Sequence, residues 1–220
     1  MGIKVKICGV TTPEDALLAA ELGASYLGLN FYPESPRHLT PEGAREIAGA
    51  VRHRIGPRAR LVGLFVNAPP ELVREVDAAV GLDLLQFHGD ETPAEIAPFA
   101  ERAIRVFRIR DRLDADVLAG CEGYWGVLID SRHPRLYGGS GESWDFASLA
   151  AVRVAHRRIF IAGGLGPDNV RAAVAAARPY GVDLCSGVES EPGRKDPGRL
   201  RRLFAELGDG LCAGSDFGYS

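Results

Sequence analysis

Short apolar runs alternate with longer amphipathic stretches along most of the chain. The short runs are rich in β-branched and aromatic residues and predict strands over residues 3–8, 26–30, 60–65, 82–87, 104–109, 126–130, 158–162 and 181–185. The stretches between them predict helices. The one over 12–22 opens on Thr-Pro-Glu-Asp, with proline in the first turn and acids near the positive end of the helix dipole, and Gly23 closes it. Thr40 and Pro41 open the next helix in the same way, and further helices are expected over 69–80, 92–100, 145–153, 167–177 and 196–207, with a short one near 113–120. Strands that alternate with helices form a parallel sheet. Right-handed crossovers leave an open doubly wound sheet or a closed barrel, and eight strands lean towards the barrel.

Length and composition fit one domain. The 220 residues are few for eight βα units, which take about 250, but too few to divide into two cores. Hydrophobic residues make up 46 % and charged residues 25 %, enough to bury an ordinary core. We expect the folded domain over residues 1–207 and a flexible tail over 208–220, where glycine and small polar residues dominate. The net charge of −3 offers no basic field for nucleic acid. Arg52, Arg54, Arg58 and Arg60 do cluster, but around a predicted helix end, where cations complement the dipole. Neither a signal peptide nor an apolar run of membrane-spanning length is read in the sequence. The four cysteines, Cys8, Cys121, Cys185 and Cys212, form no C-x-x-C pair and have no histidine at zinc-ligand spacing. These features predict a cytoplasmic protein without metal or organic cofactor, as a monomer or a homodimer.

The chemistry of a parallel barrel gathers at the carboxyl ends of its strands. Cys8, Asn30, Gln86 with His88, and Asp130 stand at such ends, and Arg37 and Asn67 follow others. The seventh strand leads into Gly163-Gly164 and the eighth into Ser186-Gly187. Glycine lets backbone N–H groups approach an anion, and barrels often bind phosphate after these two strands, so a small phosphorylated substrate is expected. Taken singly, each residue has a plainer reading. Cys8 alone is a buried small hydrophobe, Asp130 a loop cap, Arg37 a solvated charge, His88 a loop-shaping residue and Cys185 a packing residue.

Several blocks in order say more. Lys6-Ile7-Cys8-Gly9, Asn30-Phe31-Tyr32-Pro33 with Ser35-Pro36-Arg37, Gln86-Phe87-His88-Gly89, Leu128-Ile129-Asp130-Ser131, Gly138-Gly139-Ser140-Gly141, Ala162-Gly163-Gly164-Leu165 and Ser186-Gly187-Val188-Glu189 follow one another. From about residue 3 to 207 the chain resembles the phosphoribosylanthranilate isomerase family of tryptophan biosynthesis. The resemblance implies a (β/α)8 barrel and an Amadori rearrangement of N-(5-phosphoribosyl)anthranilate to 1-(2-carboxyphenylamino)-1-deoxyribulose 5-phosphate. It assigns the general base to Cys8 and the general acid to Asp130. It places Arg37 at the anthranilate carboxylate, and Gln86, Gly163, Gly164, Ser186 and Gly187 around the rest of the substrate. Cys8 then needs surroundings that favour a thiolate, and Asp130 surroundings that keep it protonated, a thiolate across the pocket being one source. Phe87 stands where an aliphatic residue is expected in this family, so the pocket wall is where a difference is anticipated. Three rivals are weaker. A related isomerase of histidine biosynthesis is expected to carry Asp where Cys8 stands. A non-catalytic phosphate-binding protein is expected to have lost Cys8 or Asp130. A thiol redox enzyme lacks a resolving cysteine near Cys8 in sequence.

Overall fold

The computed structural model describes residues 2–109, 120–131 and 158–211. Eight parallel strands close into a barrel in sequence order: β1 (Lys4–Cys8), β2 (Tyr26–Asn30), β3 (Arg60–Phe65), β4 (Leu84–Phe87), β5 (Ala103–Ile109), β6 (Gly126–Ser131), β7 (Ile159–Ala162) and β8 (Gly181–Leu184). β8 pairs with β1 through Val5↔Val182 and Ile7↔Leu184, which closes the ring and leaves no barrel edge. The helices are α1 (Pro13–Leu22), α2 (Pro41–Arg54), α3 (Pro70–Val80), α4 (Pro93–Ile96), α5 (Val170–Ala177) and α6 (Pro197–Leu211). The helices expected near residue 113 and over 145–153, the Gly138–Gly141 block and Cys212 lie outside the described residues. No described helix is long and apolar enough to cross a membrane.

Local chemistry sets the helix ends. Thr12 caps α1 by accepting from the Asp15 N–H at 3.2 Å, and Gly23 ends it in the left-handed region at φ 117°. Thr92 and Glu95 form a reciprocal capping box at α4, yet that helix stops at Ile96 instead of the expected residue 100. Pro98 has no N–H for an i→i−4 bond, and the chain tightens into a 3₁₀ turn over Ala97–Arg102. In the other direction, α6 runs on to Leu211, through the first residues of the segment expected to be tail.

Strand alternation divides the core in two. Residues such as Ile7, Leu29, Phe65, Ile129 and Leu184 face outwards, into the layer between barrel and helices. Phe87 belongs there too, with its ring 6.4 Å from that of Phe65 and 5.7 Å from that of Phe99. The expectation that it shapes the pocket wall is therefore corrected: its neighbour Gln86 takes the inward position. Inside the barrel, Tyr26, Val62, Leu84, Ile104, Val106, Leu128 and Phe160 form a second cluster, with Trp125 and Tyr180 packed against it. Phe160 makes edge contacts with Tyr26 and Tyr180, whose hydroxyls share a hydrogen bond of 2.9 Å. A Cβ on Gly181 would stand 2.6 Å from the Phe160 ring, so only glycine leaves the room that ring needs. This aromatic plug fills the end of the barrel where the strands begin.

Phe160 is fully buried at its centre. Phe160→Ala should cost about 3–5 kcal/mol, through lost transfer energy and the cavity left behind. Urea unfolding of wild type and variant measures this, and a loss under about 1 kcal/mol would show that the plug collapses to refill the space.

Candidate active site

At the opposite end the interior turns polar. On β1 the inward side chains are Lys6 and then Cys8, both buried. The Lys6 ammonium donates to Asp183 Oδ1 of β8 at 2.9 Å, across strands paired at Lys6↔Asp183. Gly28 on β2 makes the space: a Cβ there would stand 2.8 Å from the Cys8 sulfur and 3.1 Å from Lys6 Nζ. Those two groups therefore meet on one small patch of wall.

A second charged cluster lies on the other side of β1. After β8 the chain makes a 3₁₀ turn over Ser186–Val188, then a two-stranded hairpin of β9 (Glu189–Glu191) and β10 (Arg194–Lys195). The hairpin holds the buried Glu189 beneath the rim. Glu189 accepts from Arg37 Nε at 2.8 Å and NH2 at 2.5 Å, and from Lys195 Nζ at 2.7 Å. Lys195 Nζ also donates to the Cys8 carbonyl oxygen at 2.6 Å. Cys185, between β8 and the 3₁₀ turn, points its sulfur at Glu189 Oε1, 3.8 Å away.

These contacts answer the first chemical requirement. Cys8 is held well below the ordinary thiol range: a hydrogen bond from Cys185 is the strongest cause, burial opposes it, and the Lys6 and Lys195 charges add to the lowering. A carboxyl does share the pocket with this sulfur, and it is Asp183. Burial pushes Asp183 up to about 7; the Lys6 charge draws it down, and the negative Cys8 pushes it up again.

Asp130, at the end of β6, is only 18 % exposed at its side chain, and His88 Nε2 lies 3.3 Å from its Oδ2. Gln86 is fully buried on β4, and its amide nitrogen is 3.0 Å from His88 Nδ1. With that amide donating to Nδ1, the ring proton sits on Nε2, the nitrogen nearer Asp130. Gln86 thus stands behind His88, and its Oε1 has no partner among the described residues.

The two glycine turns differ. Gly163 and Gly164 both have positive φ, 101° and 63°. Asn169 braces the turn by donating to the Gly164 carbonyl at 2.9 Å and accepting from the Gly166 N–H at 2.8 Å. Its fold into this turn delays the start of α5 from the expected residue 167 to Val170. A Cβ on Gly164 would meet no atom of the described residues within 4 Å, whereas one on Gly187 would lie 2.0 Å from the Leu165 carbonyl oxygen. Gly187 is therefore fixed by close approach of the turns after β7 and β8, and Ser186 beside it is exposed. Arg37 owes its place to its loop: Asn30 accepts from the Tyr32 N–H at 2.8 Å and donates to Ser35 Oγ at 3.0 Å, and that oxygen accepts from the Arg37 N–H at 3.1 Å.

Cys8, Gln86, Asp130, Gly163, Gly164, Ser186 and Gly187 all stand at the carboxyl ends of the strands, as expected from sequence. Lys6, Asp183, Glu189, Lys195 and Asn169 were not singled out. The signal for the first two was present: Lys-Val-Lys-Ile-Cys and Gly-Val-Asp-Leu place a charge at an inward position of an otherwise apolar strand. Cys185, expected to be packing, also reaches Glu189 and bears on the ionisation of Cys8.

Burial alone would raise Glu189, but hydrogen bonds and charge from Arg37 and Lys195 outweigh it and hold its carboxyl at about 2. A carboxyl lowered on folding stabilises above its unfolded pKa of about 4.3, and that stability is lost as pH falls through the folded value. Glu189→Gln should therefore cost roughly 3–5 kcal/mol at neutral pH, leaving Lys195 buried and uncompensated. The gap between wild type and variant should shrink between about pH 4.5 and 2. Denaturant unfolding across that range tests this, and a gap independent of pH would remove Glu189 from the charge cluster.

The sequence model of the N-(5'-phosphoribosyl)anthranilate isomerase family matches residues 5–206. The chain is 46 % identical over 211 residues to N-(5'-phosphoribosyl)anthranilate isomerase of Trichlorobacter lovleyi, covering 95 % of this chain and all of that protein. It is 44 % identical to the protein of that name from Geobacter sulfurreducens, over 92 % of this chain and 97 % of that one. Among solved structures, phosphoribosyl anthranilate isomerase from Thermotoga maritima superposes with a TM-score of 0.82 at 36 % identity, over 94 % of this chain and 99 % of that one. The enzyme in complex with reduced 1-(o-carboxyphenylamino)-1-deoxyribulose 5-phosphate gives 0.81 at 33 % identity, with the same coverage.

Proposed function

The chain belongs to the N-(5'-phosphoribosyl)anthranilate isomerase family, and we propose that it catalyses that family's rearrangement with Cys8 as general base and Asp130 as general acid. The observation that carries this reading is the Cys8 sulfur, set at the mouth of the barrel among a thiol donor and two ammonium groups that favour its thiolate. Asp130 protonates the furanose oxygen of N-(5-phosphoribosyl)anthranilate as the C1–O bond breaks, giving an open-chain Schiff base. The Cys8 thiolate removes the proton from C2, and the enolamine tautomerises to the ketone of 1-(2-carboxyphenylamino)-1-deoxyribulose 5-phosphate. One proton is given and one is taken, so the rearrangement is balanced without a redox partner.

His88 bears on the acid step. Its Nε2, held by the contact from Gln86, lies beside Oδ2 of Asp130 and leaves the other carboxyl oxygen for the ring oxygen. Gln86 acts through His88 as a positioning residue. The 5-phosphate is assigned to the backbone donors of Gly163, Gly164, Ser186 and Gly187, where the brace from Asn169 sets the direction of the first turn. Arg37 takes the anthranilate carboxylate. Glu189 engages its Nε and one edge of NH2, which leaves the far side of the guanidinium fork for that contact. The reducing cytosol is the compartment we assign, since Cys8, Cys121 and Cys185 are all free thiols.

Turnover can be followed as the fluorescence decay of freshly made phosphoribosylanthranilate. Asp130→Asn keeps the shape but has no proton to give, and Cys8→Ser replaces a thiolate with a far weaker base. A positioned acid or base contributes about 10²–10⁴-fold, so each folded variant should lose at least about a hundredfold in kcat with KM changed much less. Near wild-type turnover in either would refute that residue's role.

The phosphate assignment has its own test. The Cβ of Gly164→Val would enter space free of described atoms within 4 Å, and the φ of 63° adds backbone strain. KM should rise about tenfold or more if one good anion contact, worth about 1.5 kcal/mol, is blocked. Unchanged kinetics in a folded Gly164→Val protein would move the phosphate elsewhere.

A further inference from the structure

Beyond favouring the Cys8 thiolate, Cys185 neither gives nor takes a proton in the rearrangement as derived. β1 and β8 pair at Ile7↔Leu184; Cys8 is the next residue of β1, and Cys185 follows directly on the end of β8. Neighbouring strands run about 4.8 Å apart, inside the roughly 4.4–6.8 Å Cα separation that a disulfide spans. The two thiols are near enough for each to shift the ionisation of the other. Both crowd the end of β1: Cys185 Sγ would lie 3.1 Å from a Cβ on Gly9, the residue after Cys8.

We propose that Cys8 and Cys185 are a peroxide-sensitive pair that closes into a reversible disulfide across the β1–β8 seam. In the first step the Cys8 thiolate attacks one oxygen of hydrogen peroxide, and the O–O bond breaks. Cys8 becomes a sulfenic acid and hydroxide leaves. In the second step the Cys185 sulfur attacks the Cys8 sulfur, the S–O bond breaks, and water leaves with the Cys185 proton. Two thiols are oxidised by two electrons, and one peroxide is reduced to two waters.

The surroundings couple the steps. Cys185 is held far above the ordinary thiol range first by its hydrogen bond to Cys8, then by burial and by the negative charge of Cys8, while Lys195 and Arg37 pull it down. Conversion of the Cys8 thiolate to a neutral sulfenic acid removes the hydrogen-bond acceptor and the charge together. The two cations remain and favour ionisation of Cys185 when it is needed as the nucleophile. At Cys121 burial and then Glu122 outweigh the pull of Arg105 and push the thiol up to about 11. Closure also protects Cys8 from over-oxidation to the sulfinic acid, which dithiols do not reverse.

The test is titration of the reduced full chain with hydrogen peroxide, followed by intact mass, peptide mapping and turnover. The expected result is loss of two hydrogens, a peptide linking Cys8 to Cys185, and at least a tenfold fall in turnover that dithiothreitol restores. In Cys185→Ala, compared with its own untreated sample, peroxide should instead carry Cys8 to the sulfinic acid, with an activity loss that dithiothreitol does not restore. Sulfinic acid on Cys8 of the wild type without a linked peptide, or a link from Cys8 to Cys121 or Cys212, would overturn the proposal. A linked protein that kept its turnover would support the disulfide and refute the base role of Cys8, so the two failures are distinguishable.

Discussion

Two ammonium groups buried on either side of one strand end set the terms for the rest of the mouth. Lys6 and Lys195 are among the least exposed side chains of the molecule, and each requires an anion within reach. Asp183 serves the first and Glu189 the second. Replacing such buried pairs by apolar side chains is often neutral or stabilising, so the barrel gains little in stability from carrying them. Their position explains them better: both charges are directed at Cys8, one through its sulfur and one through its carbonyl oxygen as well. Gly28 keeps the inner wall open for this arrangement, and the short hairpin after β8 exists within it as the holder of Glu189 and Lys195.

The order of strands and most helices was legible because it rests on periodicity, which is local. The barrel ends of the site were legible for the same reason: a residue at the last position of a strand has only one place to go. What escaped was the set of contacts between distant parts of the chain. Arg37 and Glu189 are separated by 152 positions, and Glu189 sits in a Ser-Gly-Val-Glu block whose glycine drew attention to phosphate. The hairpin of Glu189–Glu191 and Arg194–Lys195 is too short and too polar to leave a period. Cys8 and Cys185 are brought together only because the last strand pairs with the first. Phe87 went the other way: the family resemblance singled it out, but alternation with Gln86 already implied that its ring faces the helices.

The division of labour along the barrel axis also has a physical logic. Apolar side chains at the start of the strands fill the interior as a packed plug, while the charged side chains towards their ends are each held by a partner from another strand or loop. Hydrogen bonds between such partners fix rotamers as well as charge, so the site is set before substrate arrives. Asn30 and Asn169 do the same for backbone: one shapes the loop that carries Arg37, the other the turn that carries Gly164.

The ring stack of Tyr26, Phe160 and Tyr180 has a consequence for traffic. With that end of the barrel filled by packed rings, the described residues leave the charged side chains facing the mouth. Substrate and product, which differ only in how the same atoms are bonded, must use it in turn.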